Sequence, residues 1–145
     1  MIIGQKSGTV SVKNQIAFPK EFRTELGDRL IVTKGLGKYL IVVSERNWKT
    51  LLEGTGNKPF TNTNARETQR YILGNASFVE IDKRGRFVLP DYLREHAEIK
   101  TEIIFAGIER FVEVWSKNNW QKHNEELKDT VVSIADTLGG EDTHE

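Results

Sequence analysis

The sequence contains no cysteine among its 145 residues, only one methionine and only three prolines. Without cysteine the chain forms no disulfide, thiolate zinc site, iron–sulfur cluster or cysteine nucleophile. No run approaches the roughly 20 apolar residues of a membrane span, and the opening MIIGQKSG lacks the basic and apolar regions of a signal peptide. The sequence therefore predicts a cytoplasmic protein with no membrane partner.

Catalytic and metal-binding motifs are also missing. His96, His123 and His144 are too far apart to form an H-x-x-x-H or H-E-x-x-H pair. The sequence has no G-x-S-x-G elbow, Walker loop or G-x-G-x-x-G pattern either. We therefore predict no catalytic residue, metal, cofactor or small-molecule substrate, and a protein that is not an enzyme.

The composition is that of a globular protein with an uneven charge distribution. Hydrophobic residues make up 37% of the chain, which is enough for a core. The formal net charge is zero, but residues 1–75 carry +6 and residues 76–145 carry −6, and the last 25 residues hold seven acids against two lysines. A mildly basic body with an acidic tail permits a polyanion partner without requiring one.

The chain contains an internal repeat. An offset of 71 aligns KNQIAFPKEFR (13–23) with RGRFVLPDYLR (84–94), and an offset of 72 continues the match. A unit of this length used twice indicates duplication of one supersecondary element, with each copy completing the core of the other. The matched pairs are Pro19 with Pro90, Arg23 with Arg94, Gly35 with Gly107, Ser44 with Ser116, and Trp48 with Trp120.

The periodicity of each copy predicts strand, turn, strand, short helix, strand, strand and helix. The turn slot holds Asn14 in the first copy and Gly85 in the second, and both residue types tolerate positive φ. Pro19 and Pro90 are expected at the first helical position, where the missing N–H costs nothing.

Further boundaries follow from glycine and from capping residues. Gly35–Gly37 and Gly107 predict two hairpin turns, and Ser44 and Ser116 predict N-caps. Residues 54–63 are predicted to be a polar linker loop. Asn64 and Glu67 follow this loop with capping-box spacing, which predicts a helix to Leu73.

The last segment is predicted to be an amphipathic helix, with an apolar stripe formed by Leu127, Val131, Ile134 and Leu138. The helix is expected to end at Gly139-Gly140 and to leave a frayed acidic end. The expected core includes three tryptophans, Trp48, Trp115 and Trp120.

The paired copies, together with IDKRGRFVLPDYLR (81–94) and GIERFVEVWSKNNW (107–120), resemble the MraZ family of bacterial transcriptional regulators over residues 1–125. The resemblance implies an α+β, mainly β fold: a duplicated AbrB/MraZ-type, swapped-hairpin-like β-barrel with flanking helices and a C-terminal amphipathic helix. It also implies a ring-shaped homo-oligomer, in the cytoplasm and at the nucleoid, that binds short direct repeats in the promoter of the division and cell-wall gene cluster.

The resemblance divides the chain into four segments. The first SpoVT/AbrB-type repeat is expected at 5–48, the linker and connecting helix at 49–75, the second repeat at 76–119, and the C-terminal helix with its acidic tail at 120–145.

The most specific family motif is D-x-[KQR]-G-R-x-x-[IL]-P, which the second copy carries intact with Asp82, Gly85, Arg86 and Pro90. The first copy departs from it, with Ser11, Asn14 and Gln15 at the first three of those positions. Two interpretations of Asp82 and Arg86 stay open: an ion pair that braces the turn, or an arginine presented to DNA. Because an exposed ion pair contributes only about 0–1 kcal/mol, bracing alone explains the motif poorly.

The candidate DNA-binding residues lie on the turns and on the helices that follow proline. Phosphate contacts from lysine or arginine set position, whereas Arg with guanine or Gln with adenine provides specificity. The helix residues Arg23 and Arg94, together with Lys20, are equally compatible with solvated surface. An exposed glutamine in a turn, such as Gln15, is usually solvated. The candidates are Lys13, Gln15, Arg23, Lys83, Arg84, Arg86 and Arg94.

Two other classes of function remain open. An antitoxin-like or protein-interaction module would use the basic face or the C-terminal helix to bind another protein, without specific DNA recognition. A small β-barrel enzyme would need a nucleophile or buried acid that the sequence does not reveal.

Overall fold

The computed structural model describes residues 1–53 and 56–142. Within them the chain forms eight strands, four α-helices and one 3₁₀ helix. The elements are β1 (Gln5–Thr9), β2 (Gln15–Ala17), α1 (Lys20–Leu26), β3 (Arg29–Lys34), β4 (Leu40–Ser44), the 3₁₀ helix (Glu45–Leu52), α2 (Thr63–Gly74), β5 (Ser77–Glu80), β6 (Arg86–Val88), α3 (Asp91–His96), β7 (Glu102–Ile108), β8 (Phe111–Ser116) and α4 (Lys117–Asp142). The fold is therefore α+β, as predicted.

The strands form two antiparallel sheets. The larger sheet has the order β1-β7-β8-β4-β3-β5, and the smaller pairs β2 with β6. The larger sheet mixes strands of both copies, because β4 of the first pairs with β8 of the second. In the described part of the chain its edge strands β1 and β5 do not pair with each other, so the expected barrel is not closed there.

The four strands and the short helix after proline recur in the same order in both copies, and the copies interlock at the small sheet. Ile16 lies opposite Phe87, and the ladder continues at each end through a backbone hydrogen bond. The amide of Phe18 donates to the carbonyl of Gly85, and the amide of Leu89 donates to the carbonyl of Asn14, both at 2.7 Å. Each copy is thus hydrogen-bonded to the turn of the other. We call this two-stranded sheet the crossed ladder.

The core lies between the crossed ladder and one face of the large sheet. Ile16 is fully buried and Phe87 is 3% exposed. Phe18 lies edge-on to Phe105 of β7, with ring centroids 5.4 Å apart. Burying aromatic and branched side chains from both copies in one cluster explains why neither copy completes a core alone.

The other face of the large sheet is covered in part by α2. The Thr33 hydroxyl donates to the carbonyl of Ile72 at 2.7 Å, and the Tyr71 hydroxyl donates to the carbonyl of Gly35 at 3.1 Å. The helix begins earlier than the predicted capping box, because the Asn62 side chain accepts from the Ala65 amide at 2.9 Å. Residues 54 and 55 of the predicted linker loop lie outside the described residues.

Several local predictions are confirmed. Asn14 and Gly85 both have positive φ, 63° and 78°. Ser44 Oγ accepts from the Asn47 amide, and Ser116 caps α4 in the same way. Each helix-opening proline lies at the N-cap, one position before the predicted one, as in the Pro19 N-cap of α1.

The prediction of a turn at Gly107 is wrong. Gly107 pairs with Val112 inside the β7–β8 hairpin, and Glu109 takes the positive φ. Gly107 instead permits close approach of the N-terminal segment, since a Cβ there would lie 2.8 Å from the backbone nitrogen of Ile3. Glycine is therefore needed at position 107 because a side chain there would collide with the N-terminal segment, and not because the chain turns there.

The prediction of three core tryptophans holds only for Trp115, which is buried and stacks on Tyr39 with ring centroids 4.7 Å apart. Trp48 and Trp120 are half-buried. Trp120 donates its indole N–H to the side-chain oxygen of Gln5 at 3.1 Å. Both residues lie in the first turns of helices at the edge of the core, so their rings are partly exposed to solvent.

The predicted end of the last helix is also wrong, because α4 continues through Gly139-Gly140 to Asp142. The rest of the expected frayed end, residues 143–145, lies outside the described residues. The predicted stripe exists but is not covered by this chain: Val131, Ile134 and Leu138 are 45–61% exposed.

Candidate nucleic-acid interface

The crossed ladder presents one buried face and one exposed face. Side chains alternate along a strand, so the neighbours of the buried residues Ile16 and Phe87 point away from the core. In register, Gln15 lies opposite Val88 and Ala17 lies opposite Arg86. These four residues form the outer face of the ladder.

The turn of the second copy is organised by Asp82. Its Oδ1 accepts hydrogen bonds from the backbone amides of Arg84 and Arg86, both at 2.9 Å. The Arg86 Nε donates to Asp82 Oδ2 at 3.1 Å. The backbone hydrogen bond from Arg86 is the largest cause that lowers the pKa of Asp82, and the Arg84 amide and the Arg86 guanidinium add to it. The carboxylate therefore stays charged and holds Arg86 by its inner nitrogen.

The turn of the first copy has the same geometry without the charge. Ser11 Oγ accepts from the backbone amides of Lys13 at 3.2 Å and Gln15 at 3.0 Å, as Asp82 does in the second copy. Serine hydroxyls form such turns as Asp carboxylates do. The described residues contain no hydrogen-bond partner for the side-chain amide of Gln15. The sequence change therefore keeps the turn and frees the Gln15 side chain.

The tips of both turns carry exposed cations. Lys13, Lys83 and Arg84 are exposed, and none has an ion-pair partner within residues 1–53 and 56–142. Because β2 and β6 are antiparallel, the two turns lie at opposite ends of the crossed ladder. At about 3.4 Å per residue, the four steps from residue 14 to residue 18 separate the turns by roughly 14 Å.

Arg94 is occupied by contacts within the protein. Its Nε donates to the carbonyl of Ile99 at 3.1 Å and its Nη1 to the carbonyl of Ser11 at 3.3 Å. Nη1 also donates to Asn14 Oδ1, and Nη2 donates to the carbonyl of Lys100. Arg94 thus ties α3 to the turn of the first copy.

Arg23 occupies the equivalent position of the first copy but makes different contacts. Its guanidinium lies directly over Gly85, where a Cβ would come within 2.5 Å of the Arg23 Cζ. Its Nε is buried without a hydrogen-bond partner among the described residues. The sequence showed two equivalent arginines and contained no signal for this difference.

Replacing Gly85 tests the turn directly. We expect Gly85→Ala to lower the free energy of unfolding by about 1–2 kcal/mol, because alanine pays a steric cost at positive φ. Both variants place a Cβ against the Arg23 guanidinium, so Arg23 must move in each. Gly85→Asn should still cost less than Gly85→Ala, since Asn14 adopts φ 63° at the equivalent position. Urea unfolding of the three proteins should give the order Gly, Asn, Ala. Equal stability of the two variants would contradict this account of the turn.

Two grooves lie elsewhere, beside α4. One of about 580 Å³ contains Tyr39, Glu113, Trp115 and His123. Burial raises the pKa of Glu113, which accepts from the Trp115 indole N–H at 2.9 Å. Sequence analysis did not identify this half-buried acid, because its burial arises from packing between β8 and α4.

The described residues show neither a metal-binding cluster nor a helix able to span a membrane. They contain no group of three or more His, Cys, Asp or Glu side chains placed to hold a metal ion. None of their helices combines the length and hydropathy that a membrane crossing requires.

Several known proteins similar to this chain carry the same family name. A family model described as "MraZ protein, putative antitoxin-like" matches residues 1–71 and again residues 72–137. A protein of Caldanaerobacter subterraneus subsp. tengcongensis, named transcriptional regulator MraZ, is 38% identical over 138 residues, covering 95% of this chain and 96% of that protein. Proteins of the same name from Thermoanaerobacter pseudethanolicus and Clostridium acetobutylicum are 39% identical over 138 residues and 42% identical over 129 residues. The Thermoanaerobacter match covers 95% of this chain and 96% of its relative, and the Clostridium match covers 89% and 91%.

Proposed function

The chain belongs to the MraZ family, and on that basis we propose that it is a sequence-specific, DNA-binding transcriptional regulator rather than an enzyme. We propose that it binds short direct repeats in the promoter of the division and cell-wall gene cluster, acting in the cytoplasm at the nucleoid. We propose that the first repeat spans 5–48, the linker and connecting helix 49–75, the second repeat 76–119, and the C-terminal helix with its acidic tail 120–145.

The observation that carries this proposal is the outer face of the crossed ladder. It presents Gln15 and Arg86 on one exposed surface, with a cationic turn at each end. In the proposed interface Lys13, Lys83 and Arg84 contact phosphates, and Arg23 adds positive charge behind the second turn. The contacts of Arg94 with Ile99 and Lys100 support a positioning role for it. Phosphate contacts would set the register, and the ladder side chains would contact base edges.

The formal net charge is zero, so overall charge does not attract this protein to DNA. We propose that the protein assembles into a ring, so that several subunits contact neighbouring repeats at once. Once one subunit is bound, the others bind at high effective concentration, and modest contacts sum to a high overall affinity.

A salt series on promoter DNA tests the function. The probe is a duplex of the region upstream of the gene for this protein, with a shuffled duplex of equal length as control. Each neutralised phosphate contributes about −0.9 to the slope of log K against log salt, so we expect a slope steeper than −2 and tighter binding of the promoter. A flat salt dependence, or equal affinity for both duplexes, would refute specific DNA binding.

The exposed stripe of α4 supports the proposed self-association. Val131 and Ile134 lie on one face of the helix with Leu127 and Leu138, and a monomer leaves this face in solvent. We propose that a second copy of the chain covers it in the ring.

Charging the stripe should reduce the size of the assembly. We expect the double variant Val131→Glu, Ile134→Glu to have a lower mass than the wild-type protein by light scattering after gel filtration, because burying carboxylates costs free energy. Ser133→Glu places a carboxylate on another face of the helix and should leave the mass unchanged. An unchanged mass in the double variant would place the interface elsewhere.

A second candidate function is an antitoxin-like or protein-interaction module. The uncovered stripe favours it too, since a different protein could occupy the same face. The salt series separates the two functions, because a protein-binding module has no reason to prefer promoter DNA.

A further inference from the structure

The outer face of the crossed ladder is not chemically symmetric. The offset of 71 relates Gln15 to Arg86 and Ala17 to Val88. The two cross-strand pairs, Gln15 with Val88 and Arg86 with Ala17, are therefore equivalent in position. One pair combines an amide with a branched apolar side chain, and the other combines a guanidinium with a methyl group.

The surroundings of the two pairs differ in the same sense. Arg86 lies beside Lys83 and Arg84, whereas the equivalent of Lys83 in the first copy is Val12, which is 97% exposed. The Asp91 carboxylate accepts from the side-chain nitrogen of Asn14 at 2.5 Å and adds negative charge to the first-copy end. The end with Arg86 is thus the more cationic one. At the end with Gln15, Lys13 and the Asn14-bound Arg94 are set against Asp91, so that end is less cationic and more apolar.

Each pair has the groups that recognise one type of base pair. Arg86 bonds Asp82 through Nε, and its two terminal nitrogens have no partner among the described residues. Two parallel N–H donors match the O6 and N7 acceptors of guanine. The Gln15 amide matches N6 and N7 of adenine, and a neighbouring apolar side chain such as Val88 suits the thymine methyl.

The spacing of the pairs fits base pairs that lie two to three steps apart. A two-stranded β-ribbon enters the major groove of B-DNA. Gln15 and Arg86 are diagonal neighbours, two residues apart along the ladder on opposite strands. With about 4.8 Å between strands and about 3.4 Å per residue, their Cα atoms are roughly 8 Å apart, which is about two to three base-pair steps.

We propose that each subunit recognises two different base pairs through this ribbon: a G·C pair at Arg86 and, two to three steps away, an A·T pair at Gln15 with Val88. The proposal rests on the proposed DNA-binding function and adds the identity of the bases. The two copies have diverged so that one subunit binds an asymmetric site, which gives each repeat a direction on the DNA.

Selection from a randomised duplex pool tests the proposal. The full-length wild-type chain, Gln15→Arg and Arg86→Gln are each used to select from duplexes with a randomised central segment, and base preferences are read by sequencing. Wild-type selection should yield a G·C and an A·T position two to three steps apart, each preferred about tenfold or more. Gln15→Arg should convert the A·T position to G·C and steepen the salt slope by about 0.9 per contact. Arg86→Gln should convert the other position to A·T.

Arg70→Gln is the matched control, since Arg70 lies on α2 at the opposite face of the large sheet. It should leave the selected sequences unchanged, and thermal unfolding verifies that every variant is folded. If all four folded proteins bind DNA with salt-dependent affinity but select the same bases, the proposal is overturned and DNA binding stands. If none enriches any sequence or shows salt-dependent binding, the proposed function itself fails.

Discussion

The variant Arg86→Ala is expected to bind promoter DNA at least tenfold more weakly than the wild-type protein. The side chain lies on the exposed face of the crossed ladder, and Asp82 orients it through Nε. A bidentate contact with a base contributes about 1–3 kcal/mol, and 1.4 kcal/mol corresponds to a factor of ten. In the proposed ring, bound to several of the proposed repeats, the loss would recur in every bound subunit, so the total effect should exceed that of one contact.

The fold should survive this substitution. The Asp82 carboxylate keeps its hydrogen bonds from the backbone amides of Arg84 and residue 86, which hold the turn. The ion pair itself is partly exposed, with side chains 36% and 44% accessible, and such pairs contribute about 0–1 kcal/mol. Fluorescence anisotropy on the promoter duplex, with thermal unfolding alongside, provides the measurement.

Arg70→Ala serves as the control for loss of positive charge, because it removes one arginine from α2 on the other side of the large sheet. We expect it to change the affinity less than threefold. Unchanged promoter affinity in a folded Arg86→Ala protein would mean that the outer face of the ladder does not contact DNA.

The second large effect concerns stability. Arg94→Ala should lower the free energy of unfolding by about 2–3 kcal/mol, because it removes hydrogen bonds from a charged donor to three backbone carbonyls and to Asn14. Hydrogen bonds that involve a charged group contribute about 1.5–3 kcal/mol each, and partial access of water to the carbonyls limits the total.

Arg23→Ala is the matched variant at the equivalent position of the other copy. Arg23 makes no hydrogen bond with its side chain inside the described ranges, and its Nε is buried without a partner. Removing an unsatisfied donor costs little, so we expect a change below about 1 kcal/mol. Both variants should be unfolded in urea at one protein concentration, since self-association shifts apparent stability. Equal losses at the two positions would contradict the contacts of Arg94.

Local features of this fold are predictable from the sequence because they depend on residues within four positions of each other. Ser44 and Ser116 cap helices by bonding an amide three residues ahead. Asn14 and Gly85 share a conformation that few residue types adopt. The order of strands and helices followed from the same local periodicity in both copies.

Features that depend on contacts between distant segments were not predictable. Gly107 is a residue type typical of turns, but here it makes room for the N-terminal segment, which packs against it. Trp120 looked like a core residue, but its side chain reaches only the edge of the core and bonds Gln5, 115 positions away. Within the candidate interface, the different contacts of Arg23 and Arg94 arise in the same way, from the turn of the opposite copy.

The amino-acid sequence alone determined that one β unit is present twice, that each copy bends at the same slot, and that the second copy keeps a charged motif which the first has lost. Only the tertiary structure decided that Gln15 and Arg86 lie on one exposed face, because that arrangement depends on pairing between β2 and β6. Strand alternation assigns a side chain to one of two faces, and only the pairing of the two strands decides which residues share the face that meets solvent.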